Sequence, residues 1–254
     1  MTEVIRNVPE MIRLSSETGE QRLSHGFVPT MGALHSGHRS LIERARREND
    51  RVTVSLFVNP TQYDDPADLE NYPRTFEADL EMLKDCGVDW LLFPRYQDLF
   101  PDDYRFRITE KPFSKELEGN CRTGHFDGVL TVVLKLLSIV HPTRAYFGEK
   151  DWQQLALVRD MVAAFFLGTE IVPCPTVREP DGLALSSRNI HLAPEQRRLA
   201  PEFHRILSTG ASPETLRQQL KDAGFEVEYV ERRGERILGA VRFGKLRLID
   251  NVTV

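Results

Sequence analysis

The spacing of apolar positions changes along the chain often enough to divide it into strands and helices. Residues 52–58, VTVSLFV, are apolar on both alternations, as a strand covered on both faces of a parallel sheet requires. Residues 88–94, VDWLLFP, follow the same pattern, while 145–148 and 170–173 give shorter strands and 24–28 the first one. Between them the period lengthens: 8–18 is amphipathic, and 40–48 keeps Leu41, Ile42 and Ala45 on one face. Thr75 is placed to cap a helix that runs to about Lys84 and ends at Gly87, and a further helix covers 152–165. Strand and helix alternating across short links predict parallel βαβ units. Residues 63–71 read as a polar loop and 107–109 as a short extra strand. The stretch VLTVVLKLLSIV, with Asp127 available as cap and only Lys135 charged, predicts a helix apolar nearly all round, buried against the sheet or a second subunit.

After Pro173 and Pro175 the pattern shifts. A charged helix is expected over 194–207 and another over 213–223, then three β runs at 226–232, 237–242 and 246–249 with Gly234 and Gly244 at the turns. The expected fold is therefore α/β: a parallel-sheet domain over 1–176, then a small α+β C-terminal domain with an antiparallel sheet over 177–254.

A length of 254 residues allows one large core or a large and a small domain. The net charge of −5 and the lack of a basic face speak against a nucleic-acid partner. No window approaches about 18 uninterrupted apolar residues, and MTEVIRNVPEMIRL lacks the apolar core of a signal peptide, so a cytoplasmic protein without a membrane contact is expected. Cys86, Cys121 and Cys174 form no C-x-x-C and read as reduced thiols.

The chemistry concentrates where strands end. In VPTMGALHSGHR, residues 28–39, Pro29 is expected to stop the ladder, and Gly32 and Gly37 give the backbone freedom to turn into a helix starting near Ser36 or Gly37. His35 and His38 then stand at the helix start, beside unpaired N–H groups and the positive dipole end, where phosphate is the natural ligand. H-x-x-H without a third ligand is a poor zinc signature. Asn59, Thr61 and Gln62 end another strand and can hold a small polar substrate, although Asn-Pro equally serves as turn punctuation. Lys150, Asp151 and Gln154 occupy a second strand-to-helix turn, where a lysine reaches phosphate oxygens as a point charge. In TVREPDGLALSSRN, a Pro-Asp-Gly turn precedes Ser186, Ser187 and Arg188, a phosphate-binding composition that also suits a Ser-capped helix start or a linker.

Taken together, VPTMGALHSGHRSL, SLFVNPTQ, YPRTFEADL, LEGNCRTGHFDGVLTVVLKLL, YFGEKDWQQLALVRDM, PTVREPDGLALSSRN and the terminal RLIDN resemble the pantoate–β-alanine ligase family, within the nucleotidyltransferases that carry H-x-G-H. That resemblance implies a Rossmann-like first domain, a small lid domain and a homodimer. It also implies ATP-dependent condensation of pantoate with β-alanine through a pantoyl adenylate, with Mg²⁺ required. Residue by residue, it implies that His35 and His38 contact ATP phosphates with Lys150 and Arg188, and that Asp151 lies near the ribose. Gly148, Val177, Leu185, Ser186 and Ser187 complete the nucleotide site; Leu185 stands where the family commonly has Met, an apolar swap of similar volume. Met31 falls at the junction of ATP and pantoate, Gln62, Gln154 and Asn59 on pantoate, and Asp79 on the metal. The rivals are a nucleotidylyltransferase acting on a phosphate ester and a nucleotide-binding module without catalysis. Asn59, Gln62 and Gln154 favour an uncharged, hydroxyl-rich acid over a phosphorylated substrate.

Overall fold

A computed structural model of the chain describes residues 2–243 and 246–254, so the turn expected at Gly244 lies outside the described residues. The chain packs as two compact units. One holds the residues up to Gly148 together with Gln153–Cys174; the other holds Glu149–Trp152 together with Pro175–Val254.

The larger unit is built on a parallel sheet of β1 (Glu3–Ile5), β2 (His25–Thr30), β3 (Arg51–Leu56), β4 (Trp90–Leu92), β5 (Arg144–Gly148) and β6 (Glu170–Cys174), in the order β1-β4-β3-β2-β5-β6. The order reverses between β2 and β5, the place where open α/β sheets bind ligands at their strand C-termini. The intervening helices are α1 (Val8–Glu20), α2 (Ser36–Glu48), α3 (Pro66–Glu70), α4 (Phe76–Asp85), α5 (Tyr96–Leu99), α6 (Glu118–Cys121), α7 (His125–Val140) and α8 (Trp152–Ala164). Val28, Val52, Val54 and Leu56 pack on one side of the sheet with Ile42 and Leu83, while Phe27, Ala145 and Phe147 pack on the other with α7.

Three expectations change here. Pro29 does not stop β2: it sits opposite Ser55 of β3, and pairing with β5 has already ended at Phe27, so its missing N–H costs no ladder bond. Residues 107–109 form no strand; the Ile108 amide donates to Thr131 Oγ1 at 3.0 Å instead of to a neighbouring ladder. Helix α7 starts at His125 after Gly124 at φ +79°, and Asp127 lies in its first turn, where it accepts from Thr109 Oγ1 rather than capping. Its apolar faces are covered within the unit by Phe27, Phe147, Leu157 and neighbours, the first of the two covers expected for it. Strand β1 is too short for its alternation to stand out in the sequence.

The smaller unit carries α9 (Pro194–Leu199), α10 (Pro201–Leu207) and α11 (Pro213–Asp222) against an antiparallel sheet of β7 (Glu226–Arg233), β8 (Arg236–Phe243) and β9 (Leu246–Thr253). The single helix expected over 194–207 is divided at Pro201, which begins a new helix. Phe203, Leu207, Leu216, Leu220, Phe225, Val230, Ile237 and Val241 make its core.

Candidate active site

After β2 the chain must turn sharply, and Gly32 at φ +91° and Ala33 at φ +52° both adopt the left-handed region. Alanine there is strained, so something must hold it. That is Asp79 on α4, buried to 3% exposure, whose Oδ2 accepts from the Ala33 amide at 2.9 Å and Oδ1 from the Leu34 amide at 2.8 Å. Thr75 stands at the N-terminal cap position of α4 but makes no side-chain capping bond to the helix; its hydroxyl donates to Asp79 Oδ1 at 3.1 Å. Tyr72 adds a hydroxyl bond to the Gly32 carbonyl. A carboxylate already facing three N–H or O–H donors does not fit a metal ligand. Through these bonds the role expected of Asp79 on the metal becomes that of a clamp on this turn.

The clamped turn delivers the histidine pair. His35 is the N-cap of α2 and accepts from the Gly37 amide through Nδ1 at 3.1 Å, while His38 Nδ1 accepts from the His35 amide at 3.3 Å. The rings lie 4.1 Å apart between centroids. With both Nδ1 atoms accepting, each neutral ring carries its proton on Nε2. The result is two N–H donors at a helix N-terminus, suited to an anion.

Beside them, Met31 Sδ receives a contact from Gln62 Nε2 at 3.2 Å, so the sulfur and the amide assigned to pantoate are neighbours. Asn59 corrects its assignment. It is 1% exposed; Oδ1 accepts from the Thr61 amide and hydroxyl, and Nδ2 donates to Gln62 Oε1 and the Gly128 carbonyl. With both ends used, Asn59 caps the turn Pro60–Gln62 rather than meeting substrate. Sequence reasoning also missed what braces this turn from α7. His125 Nδ1 lies 2.9 Å from the Gln62 carbonyl, Arg122 bridges His125 and Asp64, and Gly128 lets α7 approach so closely that a methyl would fall 2.7 Å from Gln62 Cα. The glycine inside an otherwise apolar helix was the available signal. On α8, Gln153 is buried and tied to the Glu118 amide and the Phe113 and Glu116 carbonyls, while its neighbour Gln154, the glutamine expected on pantoate, is half-buried. A cavity of about 400 Å³ opens next to Met31 and Asp79, walled by Phe57, Phe76, Phe93 and Tyr96.

Within the smaller unit, Lys150 lies in a short 3₁₀ turn, Glu149–Asp151, its ammonium 3.9 Å from Asp151 and its side chain 20% exposed. Residues 177–185 form a tight hairpin, with Leu185 N donating to the Val177 carbonyl and Gly182 at φ +92° in its tip. It hands the chain to Ser186, which caps the turn Ser187–His191 by accepting from the Arg188 amide at 3.3 Å.

A family model described as pantoate-beta-alanine ligase matches residues 3–253. A pantothenate synthetase from Bdellovibrio bacteriovorus is 50% identical over 254 residues, covering 100% of both chains. One from Legionella pneumophila is 47% identical over 249 residues, covering 98% of each. The crystal structure of a pantoate-beta-alanine ligase from Francisella tularensis, complexed with beta-gamma ATP and beta-alanine, is similar with a TM-score of 0.94 and 42% identity, covering 100% of this chain and 98% of that one. Pantothenate synthetase from Thermus thermophilus gives a TM-score of 0.90 at 41% identity, covering 99% of each. With its family model matched from end to end and relatives this similar over their whole length, the chain belongs to the pantoate–β-alanine ligase family.

Proposed function

We propose that this protein condenses pantoate with β-alanine in two steps. A pantoate carboxylate oxygen attacks the α-phosphorus of ATP, the bond to pyrophosphate breaks, and pantoyl adenylate forms. The β-alanine amine then attacks the acyl carbon, AMP leaves, and pantothenate results. The observation that supports the proposal is the β2–α2 turn, where two imidazoles bonded through Nδ1 to backbone amides stand together at a helix N-terminus, a place suited to phosphate. The substrate supplies its own nucleophile, so no covalent enzyme intermediate is needed. What the protein must supply is in-line placement and compensation of the charge growing on pyrophosphate. His35, His38, Lys150, Ser186, Ser187 and Arg188 take the triphosphate under this proposal, and Asp151 the ribose. Gly148, Val177 and Leu185 line the nucleotide; Gln62, Gln154 and Met31 take pantoate.

For the Mg²⁺ implied by the family, no cluster of three His, Cys, Asp or Glu side chains occurs among the described residues, as suits an ion held mainly by substrate phosphates and water. No described helix is long and apolar enough to cross a membrane. A cytoplasmic location and pairing with a second copy of the chain remain part of the proposal. The test is pantoate-dependent exchange of labelled pyrophosphate into ATP, followed by release of pantothenate and AMP on adding β-alanine. A nucleotidylyltransferase acting on a phosphate ester, or a module without catalysis, gives no exchange with pantoate.

A further inference from the structure

Two consecutive residues of β9, Asp250 and Asn251, are both buried, at 4% exposure each, and neither has a part in the chemistry above. Asn251 Nδ2 donates to the Glu149 carbonyl at 2.9 Å and to the Lys150 carbonyl at 3.0 Å. Those carbonyls belong to the two peptide planes on either side of Lys150 Cα. Fixing both planes fixes the backbone dihedrals of Lys150, and with them the direction in which its side chain leaves. The amide cannot flip, because Asn251 Oδ1 accepts from Arg236, whose guanidinium also lies 3.8 Å from Glu149.

Asp250 ties the same strand to the hairpin of residues 177–185. Arg178 grips its carboxylate with two bonds of 2.7 and 2.9 Å, and donates as well to the Gly182 and Asn251 carbonyls. Asp250 Oδ1 also accepts the Asn251 amide at 2.8 Å, and His204 Nδ1 stands 3.2 Å from Oδ2. Burial alone would raise the Asp250 carboxyl, but His204 and Arg178 outweigh it and hold it below the ordinary carboxylate range, so the grip on Arg178 stays ionic.

We propose that Asn251 is a positioning residue for the adenylation step. It aims Lys150 by clamping the peptide planes around it, while Asp250 joins that clamp to the hairpin that leads into Ser186, Ser187 and Arg188. This rests on the assignment of Lys150 to the triphosphate.

Asn251→Leu removes both donors at nearly constant volume. It is expected to lower kcat/KM for ATP in pyrophosphate exchange at least tenfold while leaving KM for pantoate within twofold. Asn251→Ser, too short to reach the carbonyls and free of apolar bulk, should give the same split and guards against misfolding of the first variant. Lys150→Ala is expected to lower exchange more than tenfold by itself, and in that background Asn251→Leu should cost less than a further twofold, because it acts through the missing ammonium. Full activity in both Asn251 variants overturns the proposal. So does a loss that multiplies with that of Lys150→Ala, or loss of cooperative unfolding in both variants. Near-normal exchange in Lys150→Ala strikes instead at the assignment of Lys150, and so separates the two failures.

Discussion

Asp79 and Ala33, separated by 46 positions in sequence, meet through a 2.9 Å bond from the Ala33 amide to the Asp79 carboxylate, and that bond holds an alanine in the left-handed region. Asp79→Asn keeps the shape but loses the charge and one acceptor. It is expected to destabilise the fold by about 2 kcal/mol and to raise KM for ATP, since the turn it clamps sets the start of α2. Thermal unfolding and exchange kinetics check both. The Mg²⁺ concentration at half-maximal exchange should move less than twofold, because the carboxylate faces amides and a hydroxyl; a large shift would return Asp79 to the metal.

His38 performs two tasks that one substitution separates. Its Nδ1 accepts the His35 amide, and under the proposed function its Nε2–H is the donor for phosphate. In His38→Asn, Oδ1 can replace Nδ1, but nothing replaces Nε2–H. The unfolding temperature is expected to stay within about two degrees of the parent while exchange falls by about 100-fold, the usual cost of one preorganised donor. Retained exchange would show that the imidazole serves only as a cap.

The same pair shows how far the sequence could be read. Two histidines three apart after a glycine-containing bend are legible as a pair at a helix start, and residues 52–58 as a central strand because they are apolar on both alternations. What stayed hidden depends on partners far along the chain. Nothing near Asp79 announces that its acceptors belong to residues 33 and 34, and nothing near Asn59 tells a substrate amide from one spent on Thr61, Gln62 and Gly128. Pro29 misleads in the sequence because the cost of a missing N–H depends on which neighbouring strand still pairs at that point. Pro201, by contrast, was in plain view as a helix start inside a pattern read as continuous.

Gly128 bears on the Pro60–Gln62 turn so tightly that a methyl group would meet its backbone. Gly128→Ala should therefore push that turn and its Gln62 away from Met31. KM for pantoate is expected to rise at least tenfold with KM for ATP changed less than threefold, read from exchange rates at varied pantoate and ATP. Equal effects on both would mean a general loosening of α7.

His25 offers a test of the core. Burial lowers its pKa to about 4, only partly opposed by Asp89, with Nε2 2.8 Å from Thr53 Oγ1 and Nδ1 without a partner. The unfolded chain takes up this proton near 6.5 and the folded chain only near 4, so stability is full above 6.5 and falls as pH drops from 6.5 to 4. His25→Gln removes the titration. Denaturant unfolding of both proteins across that range should show the parent losing about 3 kcal/mol more than the variant.

The neighbouring glutamines of α8 carry a wider consequence. Consecutive helical side chains diverge by about 100°, so Gln153 fastens residues 113–118 while Gln154 looks elsewhere. Any rolling of the helix that re-aimed the second would tear out the first. Under the proposed assignment of Gln154 to pantoate, altered acid preference comes from exchanging side chains one at a time, with the cylinder that carries them bolted in place.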